Sequence, residues 1–148
     1  MDPAALWFLS CKLHHRGWRV GAKLIKMVNF LVFHAVLPVE CELKSKVTLW
    51  HRGLGTVIHP NSTIGSGVVI GHGVTFGASS NVAGSPLRVI IEDNVTIGAH
   101  AYIAGSRGRA IVIGEGSIIG AHAVVTEDVQ SGARMVGPKA VDIASRRA

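Results

Sequence analysis

Eight histidines in 148 residues are the side chains best suited to chemistry near neutral pH. An unperturbed imidazole titrates near ~6.5 and carries two distinct nitrogens, so it can take a proton from an alcohol or ligate a metal. His51 stands in Leu49-Trp50-His51-Arg52-Gly53-Leu54-Gly55-Thr56, and His72 in Ile70-Gly71-His72-Gly73-Val74. Each lies two residues past an aliphatic, in a glycine-rich setting where exposed backbone amides can donate to a developing oxyanion. His59 reads as a solvated corner residue, and His14, His15 and His34 as ordinary helix residues. Cys11 and Cys41 are too few for a disulfide framework and read as buried thiols of a reducing compartment.

What positions these histidines is a repeat of six. An aliphatic followed by a small or polar residue recurs at Ile58, Ile64, Ile70 and Phe76, at Ile91, Ile97 and Ile103, and at Ile113, Ile119 and Val125. Neither a plain strand nor a helix has that period. It is the pattern of a hexapeptide parallel β-helix, in which each hexad forms one face of a three-sided coil and every sixth side chain stacks inward. Ser62, Val68, Val74, Val95, Ala101, Ser117, Ala123 and Val129, four places after the aliphatics, fill the remaining interior. The fold class expected is therefore an all-β solenoid, residues 38–148, preceded by a helical segment, residues 1–37.

The lead reads as two helices, the first from Ala4 to near Gly17 and the second from Trp18 to about Leu37, where Pro38 stops it. They are expected to cover the open end of the coil, or to lie on the inner leaflet of a membrane with Lys23 and Lys26 toward headgroups. The apolar run 27–37 is too short to span a bilayer, which needs about 20 residues. Five Lys/Arg before Pro38 (Lys12, Arg16, Arg19, Lys23, Lys26) face Asp2 alone, whereas the remainder has ten against eight. Such a bias suits a phosphate-rich small molecule or an anionic surface; no recognition motif accompanies it, so nucleic acid is not an expected partner. The apolar stretch after Asp2 does not read as a secretory signal, since Lys12-Leu13-His14-His15-Arg16 follows it without a small-residue cleavage site; the expected location is cytoplasmic, with contact to the inner membrane face through residues 4–37.

Three interruptions break the rhythm, at Trp50–Thr56, between Phe76 and Ile91, and at Gly105–Arg109. Insertions in a solenoid commonly carry function. With the interruptions set aside, Leu49, Ile70, Ile91 and Ile113 count onto one face in successive coils. His51 and His72 should then sit one coil apart, about 4.8 Å along the axis. His100 and His122, each three residues past an aliphatic, should stack on another face.

The stretch from Leu49 to Pro60, with Ile70-Gly71-His72-Gly73-Val74-Thr75-Phe76-Gly77, resembles the serine O-acetyltransferases of the hexapeptide-repeat superfamily. It is most similar to their short relatives that acetylate surface-polysaccharide sugars. Ile119-Gly120-Ala121-His122-Ala123-Val124-Val125 and Val136-Gly137-Pro138-Lys139-Ala140 resemble the group's last coils, so the likeness covers residues 38–143. It implies a left-handed coil, assembly as a homotrimer with the site between subunits, and transfer of acetyl from acetyl-coenzyme A to a hydroxyl without a metal.

By the same resemblance His51 matches the base, with His72 as the second candidate. Arg134 and Lys139 suit the phosphates of coenzyme A, joined by Arg107 and Arg109 beside the intersubunit groove; Gly98, Ala99, Ala104 and Gly120 would let its pantetheine arm approach. The group pairs its base with an acid, but Trp50 precedes His51, which leaves Glu40, Glu42 or a backbone carbonyl to orient the ring. Its Arg-His-Pro element is replaced by Gly84-Ser85-Pro86, which leaves Ser85 and Arg88 as acceptor contacts. These departures favour a sugar or other neutral alcohol as acceptor, with serine as the alternative. A zinc enzyme of the carbonic anhydrase type would need a histidine near Gly105 to accompany His100, and there is none. A non-catalytic assembly protein is the remaining alternative.

Overall fold

The computed structural model describes residues 1–78, 88–105 and 109–138. Helix α1 (Pro3–His15) starts at Asp2, whose carboxylate accepts from the Ala4 amide at 3.0 Å, with Pro3 at the first helical position. Helix α2 (Arg19–Phe33) packs along it. Short parallel strands then build three sheets, one per side of the coil. The first contains β1 (Glu42–Leu43), β3 (Ser62–Ile64), β6 (Val89–Ile91) and β9 (Ile111–Ile113). The second contains β2 (Thr48–Leu49), β4 (Val69–Ile70), β7 (Thr96–Ile97), β10 (Ile118–Ile119) and β12 (Arg134–Met135). The third contains β5 (Thr75–Ala78), β8 (Tyr102–Gly105) and β11 (Val124–Val125).

The hexad aliphatics point inward as their period requires. Ile58, Ile64, Ile70, Phe76, Ile91, Ile97, Ile103, Ile113, Ile119 and Val125 are all buried, and so are the eight small or β-branched fillers. Corner glycines are forced by coil-on-coil approach. A Cβ on Gly71 would stand 2.6 Å from the Ala99 amide nitrogen, and one on Gly98 2.5 Å from that of Ala121.

The lead closes one end of this core. Ala4, Trp7, Cys11 and Phe33 belong to the same buried cluster as the coil aliphatics. The Trp7 indole N–H donates to the Pro38 carbonyl at 2.8 Å, so the bulky ring is buried without an orphaned donor. Cys11 and Cys41 are free buried thiols, and burial pushes Cys11 up to about 12, too high for a reactive thiolate.

Two expectations are corrected. Helix α2 ends at Phe33, not near Leu37, because His34 takes a left-handed conformation (φ 52°) and its amide closes on the Phe30 carbonyl at 3.0 Å. Val36 then bridges Val57, so the coil begins before Pro38, and Ala35 and Leu37 are buried in it. The face assignment also changes: Ile91 and Ile113 stack on Leu43 and Ile64, whereas Leu49 and Ile70 stack on Ile97 and Ile119. The fifteen positions from Phe76 to Ile91 are one hexad plus nine residues, not two hexads plus three. Spacing modulo six cannot distinguish these; the pairing of Phe76 with Ile103 does.

Candidate functional site: a column of four imidazoles

The corner between the second and third sheets carries histidine in each successive coil. His51 comes from a 3-10 turn, Trp50–Gly53, inserted directly after β2. His51 (φ 51°) and Arg52 (φ 58°) are both left-handed, followed by Gly53 at φ 68°. Two consecutive non-glycine residues in that region are costly and mark a backbone held in place by its surroundings. The constraints are visible: the Gly55 amide donates to the His34 carbonyl at 3.1 Å, Val36 to Thr56 at 2.9 Å, and the Thr56 hydroxyl to the Gly71 carbonyl at 3.3 Å.

One coil on, His72 follows β4. Its ring meets His51 edge to face, with centroids 4.8 Å apart and planes at 90°. His100 lies beyond His72 at 4.9 Å, again edge on, and His122 stacks on His100 at 5.2 Å with planes 12° apart. His51 and His72 therefore stack as expected, but His100 and His122 share their column rather than occupying a different face. The nine-residue interruption had hidden this. The backbone agrees: Gly55, Gly73, His100 and His122 all sit at positive φ, marking the same turn position of consecutive coils. His72 precedes that position by one residue.

The environments of the four rings differ. His51, His100 and His122 are exposed, while His72 is half-buried. The Nδ1 of His72 is covered and has no hydrogen-bond partner among the described residues. Burial, and then the neighbouring imidazoles of His51 and His100, hold His72 below the ordinary histidine value. The shift favours the neutral ring, the form in which a histidine accepts a proton.

The other expected site residues divide. Glu42 does not orient His51: it pairs with the Arg88 guanidinium on the first sheet, which lowers its carboxyl. Arg88 also donates to Thr63 Oγ1 at 3.0 Å and Asn61 Oδ1 at 3.2 Å. The structure thus brings Arg88 to a polar cluster on the first sheet, not to the histidine column. Ala104 is 1% exposed, which leaves it no surface for a ligand and removes it from the expected pantetheine contacts. Gly98, Ala99 and Gly120 are half-buried along the corner, and Arg134 is exposed on β12. Ser85, Arg107 and Lys139 lie outside the described residues. His59 serves its own turn, its Nδ1 accepting from the Asn61 amide at 3.2 Å. Among the described residues no cluster of three or more His, Cys, Asp or Glu could hold a metal ion. A cleft of about 490 Å³ lined by His15, Glu42, Leu43, Lys44 and Thr63 opens beside the first sheet and contains none of the column.

No family model matches the chain. Serine acetyltransferase 2 of Arabidopsis thaliana is 29% identical over 152 residues, covering 92% of this chain and 46% of that protein. The serine acetyltransferase of Brucella abortus, solved with coenzyme A, superposes with a TM-score of 0.78 at 27% identity over 94% of this chain and 53% of its own. By sequence and by structure, this chain is similar to the serine acetyltransferases. It shares their left-handed parallel β-helix. The Neisseria gonorrhoeae serine acetyltransferase solved with serine matches at a TM-score of 0.73 and 28% identity, over 93% of this chain and 54% of its own. The chain spans about half the length of these relatives.

Proposed function

We propose that the protein is an acetyl-coenzyme A-dependent O-acetyltransferase in which His72, rather than His51, accepts the proton of the acceptor alcohol. The observation that carries this is the state of His72: a half-buried imidazole shifted toward its neutral form, with a covered and unpartnered Nδ1, between two other rings. As alcohol oxygen attacks the thioester carbonyl, the imidazole takes its proton, and the tetrahedral intermediate collapses with loss of the thiolate. The imidazolium then returns the proton to the departing sulfur, so the base is regenerated. His51, in edge contact with His72, makes its protonated form less favourable and keeps it competent at lower pH.

Acetyl-coenzyme A would lie along the corner past Gly98, Ala99 and Gly120, with Arg134 toward its phosphates. In a trimer the corner of one subunit would be closed by the next. The acceptor favoured by the comparisons is serine, since the relatives are serine acetyltransferases and one was solved with serine. This replaces the sugar that the sequence departures favoured. Those departures, Trp50 before His51 and Gly84-Ser85-Pro86 in place of Arg-His-Pro, remain the reason to test both.

The test is thiol release from acetyl-coenzyme A with L-serine and, in parallel, with neutral sugars. Turnover with serine and not with sugars supports the full reading; turnover with sugars alone returns the acceptor to a glycan. No turnover with any alcohol, together with no thermal stabilisation by coenzyme A, would leave a non-catalytic coil.

A further inference from the structure

Helix α2 has two unlike faces. Ala22, Asn29 and Phe33 are buried against α1 and the end of the coil. On the opposite face, at spacings of four, three and four, Val20 (75%), Leu24 (54%), Met27 (50%) and Leu31 (62%) are exposed. Phe30, Val32 and, at the start of the helix, Trp18 (70%) extend this apolar surface. At 100° per residue, Arg19, Lys23 and Lys26 fall along one edge of the stripe. From Pro3 to Val39 the chain contains five Lys/Arg and no Asp or Glu.

We propose that this face of α2 docks on an anionic lipid surface, lying in the plane of the interface. The stripe would enter the headgroup–acyl boundary, Trp18 would sit at headgroup level, and Arg19 and Lys23 would meet lipid phosphates. Each feature of the face is accounted for by that one partner. An exposed apolar stripe with a cationic rim marks an interaction surface. A second copy docked through its own α2 would cover the stripe but bring its own cationic edge, with no acidic residue between Pro3 and Val39 to answer it. No helix among the described residues is long and apolar enough to cross a membrane, so the contact is peripheral. The contact is also tied to the histidine column, since the His34 carbonyl at the end of α2 accepts from Gly55 in the loop that holds His51. This inference is independent of which alcohol the enzyme acetylates.

The full chain is sedimented with vesicles of phosphatidylcholine alone and of phosphatidylcholine containing phosphatidylglycerol. We expect binding to the anionic vesicles at least tenfold stronger than to the neutral ones, weakening as salt rises. The double variant Leu24→Ser/Leu31→Ser should lose it with its circular dichroism and melting unchanged, and Arg19→Gln/Lys23→Gln should reduce the preference for anionic lipid. Absence of binding to anionic vesicles, equal binding to both, or binding that survives both variants overturns the proposal. So does a wild-type chain that ignores vesicles while the leucine variant lowers the mass of its assembly by light scattering. In that case the face joins copies of the chain.

Discussion

The imidazole of His100 occupies the space that a side chain on Gly73 would need: a Cβ there would stand 2.3 Å from His100 Nδ1. Gly73 is left-handed at φ 67°, and the His72 carbonyl beside it accepts the His100 amide at 2.9 Å. The glycine is therefore what lets one coil carry its histidine directly beneath the next. Gly73→Ala should cost about 2–3 kcal/mol in urea denaturation, combining left-handed strain with displacement of the ring. Gly132→Ala, at φ 72° with open space around it, should cost only about 1 kcal/mol. In a double-mutant cycle, His100→Ala should recover part of the Gly73→Ala loss; strict additivity would show that the ring was not the obstacle.

His72→Ala should lower kcat about 10²- to 10⁴-fold, the span of general-base catalysis, while coenzyme A still raises the melting temperature. His51→Ala should cost less, because that ring acts on His72 through its charge and contact. The reverse order of the two losses in thiol-release kinetics would return the proton acceptor to His51.

Stability and activity should share an acid limb. Burial first, then His51 and His100, lower the folded-state pKa of His72 beneath the ordinary histidine value of 6.5. Between that depressed value and 6.5 the unfolded chain binds more protons than the folded one, so stability falls as pH drops through this window. Above 6.5 the contribution is constant. The loss of kcat/KM on acidification should likewise be centred below 6.5, and His51→Ala should move it upward. A limb centred above 6.5 would contradict the assignment.

Trp7 seals the coil end, fully buried and bonded to Pro38. Trp7→Ala should destabilise by about 3–5 kcal/mol through the cavity it leaves. Trp7→Phe, which keeps most of the volume and leaves the Pro38 carbonyl only the weak Cys11 thiol donor, should cost less. Equal midpoints for wild type and Trp7→Ala in thermal melts would mean that the lead contributes little to the core.

How much of this was legible beforehand follows from the kind of information each feature needs. The inward aliphatics from Ile58 to Val125, their fillers and the His51–His72 contact are local consequences of a six-residue period, and all were readable. The membership of His100 and His122 in the same column was not, because three and nine extra residues leave the same remainder modulo six. The end of α2 was misplaced for a related reason: Pro38 is the conspicuous breaker, but left-handed His34 ends the helix earlier and Val36 pairs with the distant Val57. Glu42 looked able to orient His51 until the face of β1 turned it to Arg88.

Sequence alone determined the architecture of this protein and the residue types at its corners, because a repeating coil imposes the same steric demand at every turn. Only the tertiary structure decided which corners coincide, that His72 is the sheltered ring of the column, and that α2 keeps an apolar, cation-edged face outward. Those are properties of register and of packing between distant segments, and chain spacing specifies neither until the strands have paired.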